Sequence, residues 1–279
     1  FSRYEEFLDM QDDMQLANGI APQNFSGKIS VRELAFRYGE RQILNNISFE
    51  IRPGDKIAFV GETGSGKSTV IKLLTGLLKY DEGEILLDGE SLAGISLEAL
   101  YRRMTYLSQE APVFDGTVKE NVVFDRNIPD TEVRKVLERV ELLSLIDELP
   151  NGIDTQIGEK ASSLSGGERQ RLALSRIWFK ESDIVIFDEA TSALDNLTEG
   201  VVMKRILDYL SDVTVLAVVH RFTNIQYFDR ILVFRDGKIV GQGTFDELMK
   251  NNEYFARLYH CSMDAESFFS AENRNIALR

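Results

Sequence analysis

Cysteine is nearly absent: Cys261 is the only one in 279 residues, and histidine occurs twice. One thiol cannot close an internal disulfide, and so few soft ligands leave no structural zinc site. The usage fits a reducing compartment. Long apolar runs are missing too. The longest, Val215 to Val219, has five residues, where a membrane-spanning helix needs roughly 20. No stretch of this chain is therefore expected to cross a bilayer. Basic residues are the minority, 32 against 45 acidic, for a formal net charge of −13. Binding a nucleic-acid backbone requires the opposite surface, so nucleic acid is not expected as a partner. A local basic pocket for one nucleotide stays compatible with that balance. The opening FSRYEEFLDMQDD has acids where a secretory signal carries basic and then apolar residues. It begins on Phe1 rather than Met, which reads as the boundary of a fragment.

What is present is an ordinary globular composition, 43% hydrophobic and 28% charged, enough for a sizeable core. Residues 1–26 are acidic and sparsely apolar. Within them Phe1, Tyr4 and Leu8 share helical spacing, and Ala21–Pro22 with Asn24 to Gly27 reads as a linker. From Lys28 short β-like runs take over: KISVRELAF, ILNNISFEI and, after the turn Pro53–Gly54–Asp55, KIAFV at 56–60. Later strand candidates are EILLD (84–88), MTYLS (104–108), DIVIFD (183–188), VTVLAVV (213–219), RILVF (230–234) and KIVGQG (238–243). Runs that are apolar throughout predict a parallel sheet covered on both faces. Between 117 and 182 the pattern is helical and too long for a crossover, which predicts a separate helical subdomain. Residues 263–279 lack clear periodicity and read as a tail.

The chemistry begins at residues 61–69, Gly61, Glu62, Thr63, Gly64, Ser65, Gly66, Lys67, Ser68 and Thr69. They match the pattern G-x-x-x-x-G-K-[ST], and they stand between a predicted strand and the amphipathic run STVIKLLTGLL. Glycines let a backbone wrap closely around phosphate oxygens with its N–H groups turned inward. The following helix adds the positive end of its dipole. Lys67 is expected to reach the β- and γ-phosphates, and Ser68 to ligate Mg²⁺.

Residues 184–189 read Ile-Val-Ile-Phe-Asp-Glu. Four apolar residues before two acids place Asp188 at the carboxyl end of a buried strand, where parallel sheets bind their ligands. Asp188 is the expected second metal ligand, directly or through water. Glu189 follows where the backbone turns, and is the candidate general base for an attacking water.

Leu164-Ser165-Gly166-Gly167-Glu168, followed by Arg-Gln-Arg, offers another anion site: a hydroxyl and glycine N–H groups at a helix start. This stretch resembles the signature motif of ABC ATPases. Other elements of that family stand in the same order. Tyr38 in FRYGERQIL matches the aromatic that stacks on adenine, and Gln109 in YLSQEAPVF the Q-loop glutamine. Ser192-Ala193-Leu194-Asp195 matches the D-loop, and His220 after VTVLAVV the H-loop histidine. Departures are small. Glu168 stands where many members carry Gln, and Gln156 where exporters often carry an acid.

The resemblance implies an α/β fold: a P-loop NTPase core with an antiparallel β subdomain and an inserted helical subdomain at about 115–182, together spanning 27–262. It implies ATP and Mg²⁺ as ligands. Tyr38 would stack on adenine, residues 61–69 would hold phosphates, and Ser68, Gln109 and Asp188 the metal. Lys67, Gln109, Glu189 and His220 would serve hydrolysis, while Ser165, Gly166, Gly167 and Asp195 would act on nucleotide across a head-to-tail pair. The partner implied is a second such domain, identical or paralogous. SQEAPVFDGTVKENV, the 1–26 lead and GQGTFDELMKNNEYFARLYH resemble exporters with fused transmembrane domains, which places the chain at the cytoplasmic face of the cell membrane. An importer's separate ATPase subunit, or a soluble ABC protein acting on ribosomes or DNA, is the alternative.

Overall fold

A computed structural model of the chain describes residues 19–22, 25–110, 112–124, 126–158 and 164–263. Phe1, Tyr4 and Leu8 with their helical spacing, and the 263–279 tail beyond Met263, lie outside the described residues. Three strands come first: β1 (Ile29–Tyr38), β2 (Arg41–Ile51) and β3 (Lys56–Val60). Helix α1 (Lys67–Leu74) follows, then β4 (Glu82–Leu87), β5 (Glu90–Ser91), α2 (Leu97–Arg103) and β6 (Met104–Leu107). The middle of the chain holds β7 (Gly116–Thr117), α3 (Val118–Val123), α4 (Asp130–Arg139), α5 (Leu143–Glu148), β8 (Gln156–Ile157) and α6 (Gly166–Ser175). The last part holds β9 (Ile184–Asp188), α7 (Asn196–Tyr209), β10 (Thr214–Val218), β11 (Arg230–Arg235), β12 (Lys238–Gly243) and α8 (Phe245–Asn251), and residues 253–263 are helical.

The strands form two main sheets. The antiparallel one runs β2-β1-β4-β5, with Ile29 opposite Ile51, Val31 opposite Phe49 and Phe36 opposite Leu44. The larger runs β12-β11-β3-β10-β9-β6, parallel except for its edge strand β12. Side chains of its central strands alternate between two cores. Ile57, Phe59, Ile184, Ile186, Leu216 and Leu232 meet the antiparallel sheet and the apolar face of α1. Ala58, Val60, Val185, Phe187, Val215 and Ile231 meet α7 and the helices of the middle of the chain. A strand buried on both faces has no polar position to spare, which is why these runs are apolar throughout. The α/β architecture with an antiparallel β part is therefore what the chain forms.

Three differences from the sequence reading have local causes. Helix α1 ends at Leu74 although the apolar run continues to Leu78, because Gly76 turns left-handed at φ +71°, its N donating to Leu73 O and Leu78 N to Lys72 O, each at 3.1 Å. The two-stranded ribbon β7–β8, with Gly116 opposite Ile157, is too short for a period to reveal. Part of the expected linker is tied down: Gly27 N donates to Asp88 Oδ2 at 3.1 Å, and Thr214 Oγ1 to Gly27 O at 2.8 Å. Trp178 is 9% exposed, with its ring 5.3 Å from that of Tyr209 and the Arg139 guanidinium over it.

Candidate active site

Strands β3, β10 and β9 are neighbours in the parallel sheet, and each delivers a candidate residue from its carboxyl end. The phosphate loop leaves β3 and enters α1 through Gly66, whose φ of +105° is left-handed. A Cβ there would lie 2.6 Å from Leu44 Cδ2, so only glycine fits without a shift. Helix α1 has no side-chain cap and no acid in its first turn. Its leading N–H groups and the positive end of its dipole are therefore left for an anion. Lys67 is 4% exposed and folds back over the loop, its Nζ donating to Gly61 O at 2.8 Å and Glu62 O at 2.9 Å. Ser65 Oγ lies 3.4 Å away. Burial lowers the Lys67 pKa, and the carboxylates of Glu189 and Asp188 oppose that shift. Glu62, Thr63 and Gly64 are exposed at the loop's crest, and Thr69 is half-buried on the first helical turn.

Asp188 closes β9 with 7% exposure. Ser68 Oγ donates to its Oδ1 at 3.0 Å, and Tyr106 Oη to its Oδ2 at 3.3 Å. Burial pushes the Asp188 carboxyl above its ordinary value, while these two hydrogen bonds pull it back. Burial, then the charge of Asp188, pushes Tyr106 up to about 12. A hydroxyl and a carboxylate brought together are hard oxygen donors, and they fit a Mg²⁺ ion that keeps water and phosphate as its other ligands.

Glu189 takes a φ of +57°, the turn that separates its side chain from the run of the strand. That geometry costs a non-glycine residue on the order of 1 kcal/mol. His220, just past β10, sits with Nε2 at 2.7 Å from Glu189 Oε1, and both are open to solvent on one side.

Six further candidates stand at four other places. Gln109 is exposed, and its side chain hydrogen-bonds neither Ser68 nor Asp188. Tyr38 is 48% exposed at the tip of the β1–β2 hairpin and packs edge-on against Phe36 at 4.8 Å. Ser165 and Glu168 form a capping box at the start of α6, which carries Gly166 and Gly167 in its first turn. Asp195 caps α7, accepting from Leu197 N and Thr198 N, and those bonds lower its pKa. Among the described residues no hydrogen bond joins 165–167 to 61–69.

Sequence reasoning passed over Tyr106, Gln170, Glu199 and Arg221. Arg221 donates to the carbonyls of Ser192 and Leu194, and to Glu199 Oε2 at 3.3 Å. Glu199 in turn accepts from Thr191 Oγ1 at 2.8 Å. Their one signal in the sequence was position, each within a few residues of a motif, and nothing about spacing reports a bond across the sheet.

The family described as ABC transporter matches residues 44–192. The chain is 38% identical over 264 residues to an ATP-dependent lipid A-core flippase of Pseudomonas fluorescens, covering 93% of this chain and 44% of that protein. It is 40% identical over 259 residues to the flippase of the same name from Neisseria meningitidis, covering 92% and 42%. A solved bacterial Atm1-family ABC exporter with ATP bound superposes with a TM-score of 0.82 and 31% identity, over 92% of this chain and 46% of that one. The chain thus spans less than half the length of each of these proteins.

Proposed function

The chain belongs to the ABC transporter family as its ATP-hydrolysing domain, and from that premise we propose that it drives an exporter by ATP-dependent pairing. The observation that carries the reading is the convergence of three parallel strand ends. They bring the uncapped N-terminus of α1, the Ser68–Asp188 pair and the Glu189–His220 pair to one edge of the sheet.

In this reading the adenine stacks on Tyr38, and the loop from Gly61 to Thr69 receives the phosphates. Lys67 exchanges its bonds to the carbonyls of Gly61 and Glu62 for phosphate oxygens. Mg²⁺, held by Ser68 and Asp188 with Gln109 closing on it, would supply positive charge to the β- and γ-phosphate oxygens. Glu189 holds the attacking water and polarises it, and His220, already hydrogen-bonded to Glu189, orients it toward the γ-phosphate. Rate enhancement comes from positioning and charge stabilisation. Ser165, Gly166 and Gly167 act on the ATP of a second domain packed head to tail, with Asp195 at that border. Membrane-spanning segments of the same transporter, on the cytoplasmic side of which this domain sits, would carry the cargo. The relatives' names make a lipid the cargo to test first.

Size-exclusion chromatography of Glu189→Gln tests this. With ATP and Mg²⁺ the mass should double while hydrolysis falls at least about a hundredfold. Normal turnover would remove Glu189 as base. An unchanged mass with bound ATP would remove self-pairing of this chain.

A further inference from the structure

Gln170 lies on the first turns of α6, and nothing in the hydrolytic scheme uses it. It is 4% exposed, and both ends of its amide are engaged. Nε2 donates to Gln109 O and to Ser192 Oγ, each at 3.2 Å. Oε1 accepts from Ala193 N at 2.8 Å. One side chain therefore spans three separate segments: the loop after β6, the loop after β9, and the helix that opens with Ser165. The loop after β9 also presses on the start of that helix, since a Cβ on Gly167 would lie 2.9 Å from Ala193 O. On its other side this loop is held by Arg221, which follows His220 and donates to Ser192 O at 3.1 Å. Residues 192–194 are thus clamped between α6 and the segment of His220.

We propose that Gln170 is a positioning residue that makes the loops at Gln109 and Ser192–Ala193 move as one body with the Ser165–Gly167 helix start. The use of the amide is specific. It donates twice and accepts once, a set that neither a carboxylate nor an apolar side chain reproduces. Displacing the Gln109 carbonyl leaves Nε2 buried with one partner fewer, so a shift of that loop carries a penalty that a shift of all three segments together avoids. Disturbance at Gln109, which the proposed scheme brings to the metal, is in this way passed to the helix start that serves the opposite nucleotide. That consequence rests on the paired arrangement proposed above. The coupling of the loops within one chain does not.

Hydrogen–deuterium exchange of the nucleotide-free 279-residue chain tests the coupling without relying on pairing. Gln170→Ala should speed exchange in peptides covering 108–110 and 191–194 together, by about tenfold, with β9 and the phosphate loop unchanged. Gln170→Glu keeps the acceptor for Ala193 N and loses the donor to Gln109 O. It should loosen 108–110 more than 191–194. In steady-state hydrolysis both variants should lower kcat about tenfold with KM within about twofold, since nucleotide binding at the phosphate loop is untouched. Exchange confined to α6, or unchanged in either loop, would overturn the proposal; parental kcat with both loops loosened would overturn its consequence for the opposite nucleotide. If Gln170→Ala does not fold, the Gln170→Glu exchange pattern decides alone. Failure of the Glu189→Gln chain to pair, with both loops still loosened together by Gln170→Ala, would count against self-pairing and leave the loop coupling standing.

Discussion

Asp188 ends a strand whose five residues are all buried, so its carboxylate is held where charge is costly. Ser68 and Tyr106 offset part of that cost, and the net effect is still an upward pKa. The sign of the linkage follows. A carboxyl raised in the folded state costs stability as pH climbs from its unfolded value through its folded one, and the full cost is present above both. Asp188→Asn should therefore raise the midpoint of thermal unfolding of the nucleotide-free chain at neutral pH, by about 1 kcal/mol in stability, and abolish hydrolysis. Its advantage should shrink as the pH falls into the ordinary carboxylate range. Calorimetry of both proteins across that range checks this, and an advantage that grows on acidification would reverse the assignment. At this scale Lys67 and Ser68 were legible as the close of the glycine pattern after KIAFV, and Asp188, Glu189 and His220 because each ends or follows an apolar run. Tyr106 was not legible, because a tyrosine in MTYLS looks the same whether its hydroxyl meets a carboxylate or water.

Among the described residues three helices begin with the same device, α3 with Thr117 and Glu120 among them. Ser165 and Glu168 close a capping box on α6, and Thr244 and Glu247 close one on α8. A lost cap costs about 1 kcal/mol wherever it sits. Ser165→Ala and Thr244→Ala should therefore lower stability by similar amounts in urea titrations, while they part in function. Thr244→Ala should keep parental hydrolysis, and Ser165→Ala should weaken ATP-dependent pairing several-fold beyond its cap cost. Equal behaviour in both assays would reduce Ser165 to a cap alone. The strands were the elements read best from sequence: KIAFV and VTVLAVV contain β3 and β10, and DIVIFD contains β9. The end of α1 and the ribbon β7–β8 were not, since one left-handed glycine inside an apolar run and a two-residue pairing leave no periodic trace.

Two copies of a chain with net charge −13 repel each other as they approach. Pairing on ATP must overcome this, and salt screens it, with a Debye length near 10 Å at about 0.1 M. The apparent ATP concentration for pairing of Glu189→Gln should therefore fall several-fold between about 0.05 and 0.5 M salt, as read by light scattering. The opposite trend would mean that complementary charges at the interface outweigh the bulk charge. Within one molecule, the parallel sheet separates two cores, and its alternating side chains serve both. The helices of the middle of the chain pack on the core that also receives α7, which carries Asp195 at its start.

The local order of chemistry was determined by the sequence alone. A glycine-rich loop ending in Gly-Lys-Ser between a strand and a helix turns N–H groups and a helix dipole toward an anion, and two acids after a buried strand stand at its ligand-binding end. Those relations are short-range, so residue type and spacing suffice for them. Tertiary structure decided which groups touch. Ser68 and Asp188 lie 120 residues apart and Gln109 and Gln170 lie 61 apart, yet each pair is joined by a hydrogen bond. Such contacts depend on strand order, because β10 is inserted between β3 and β9. No periodicity along the chain encodes which strand lies beside which.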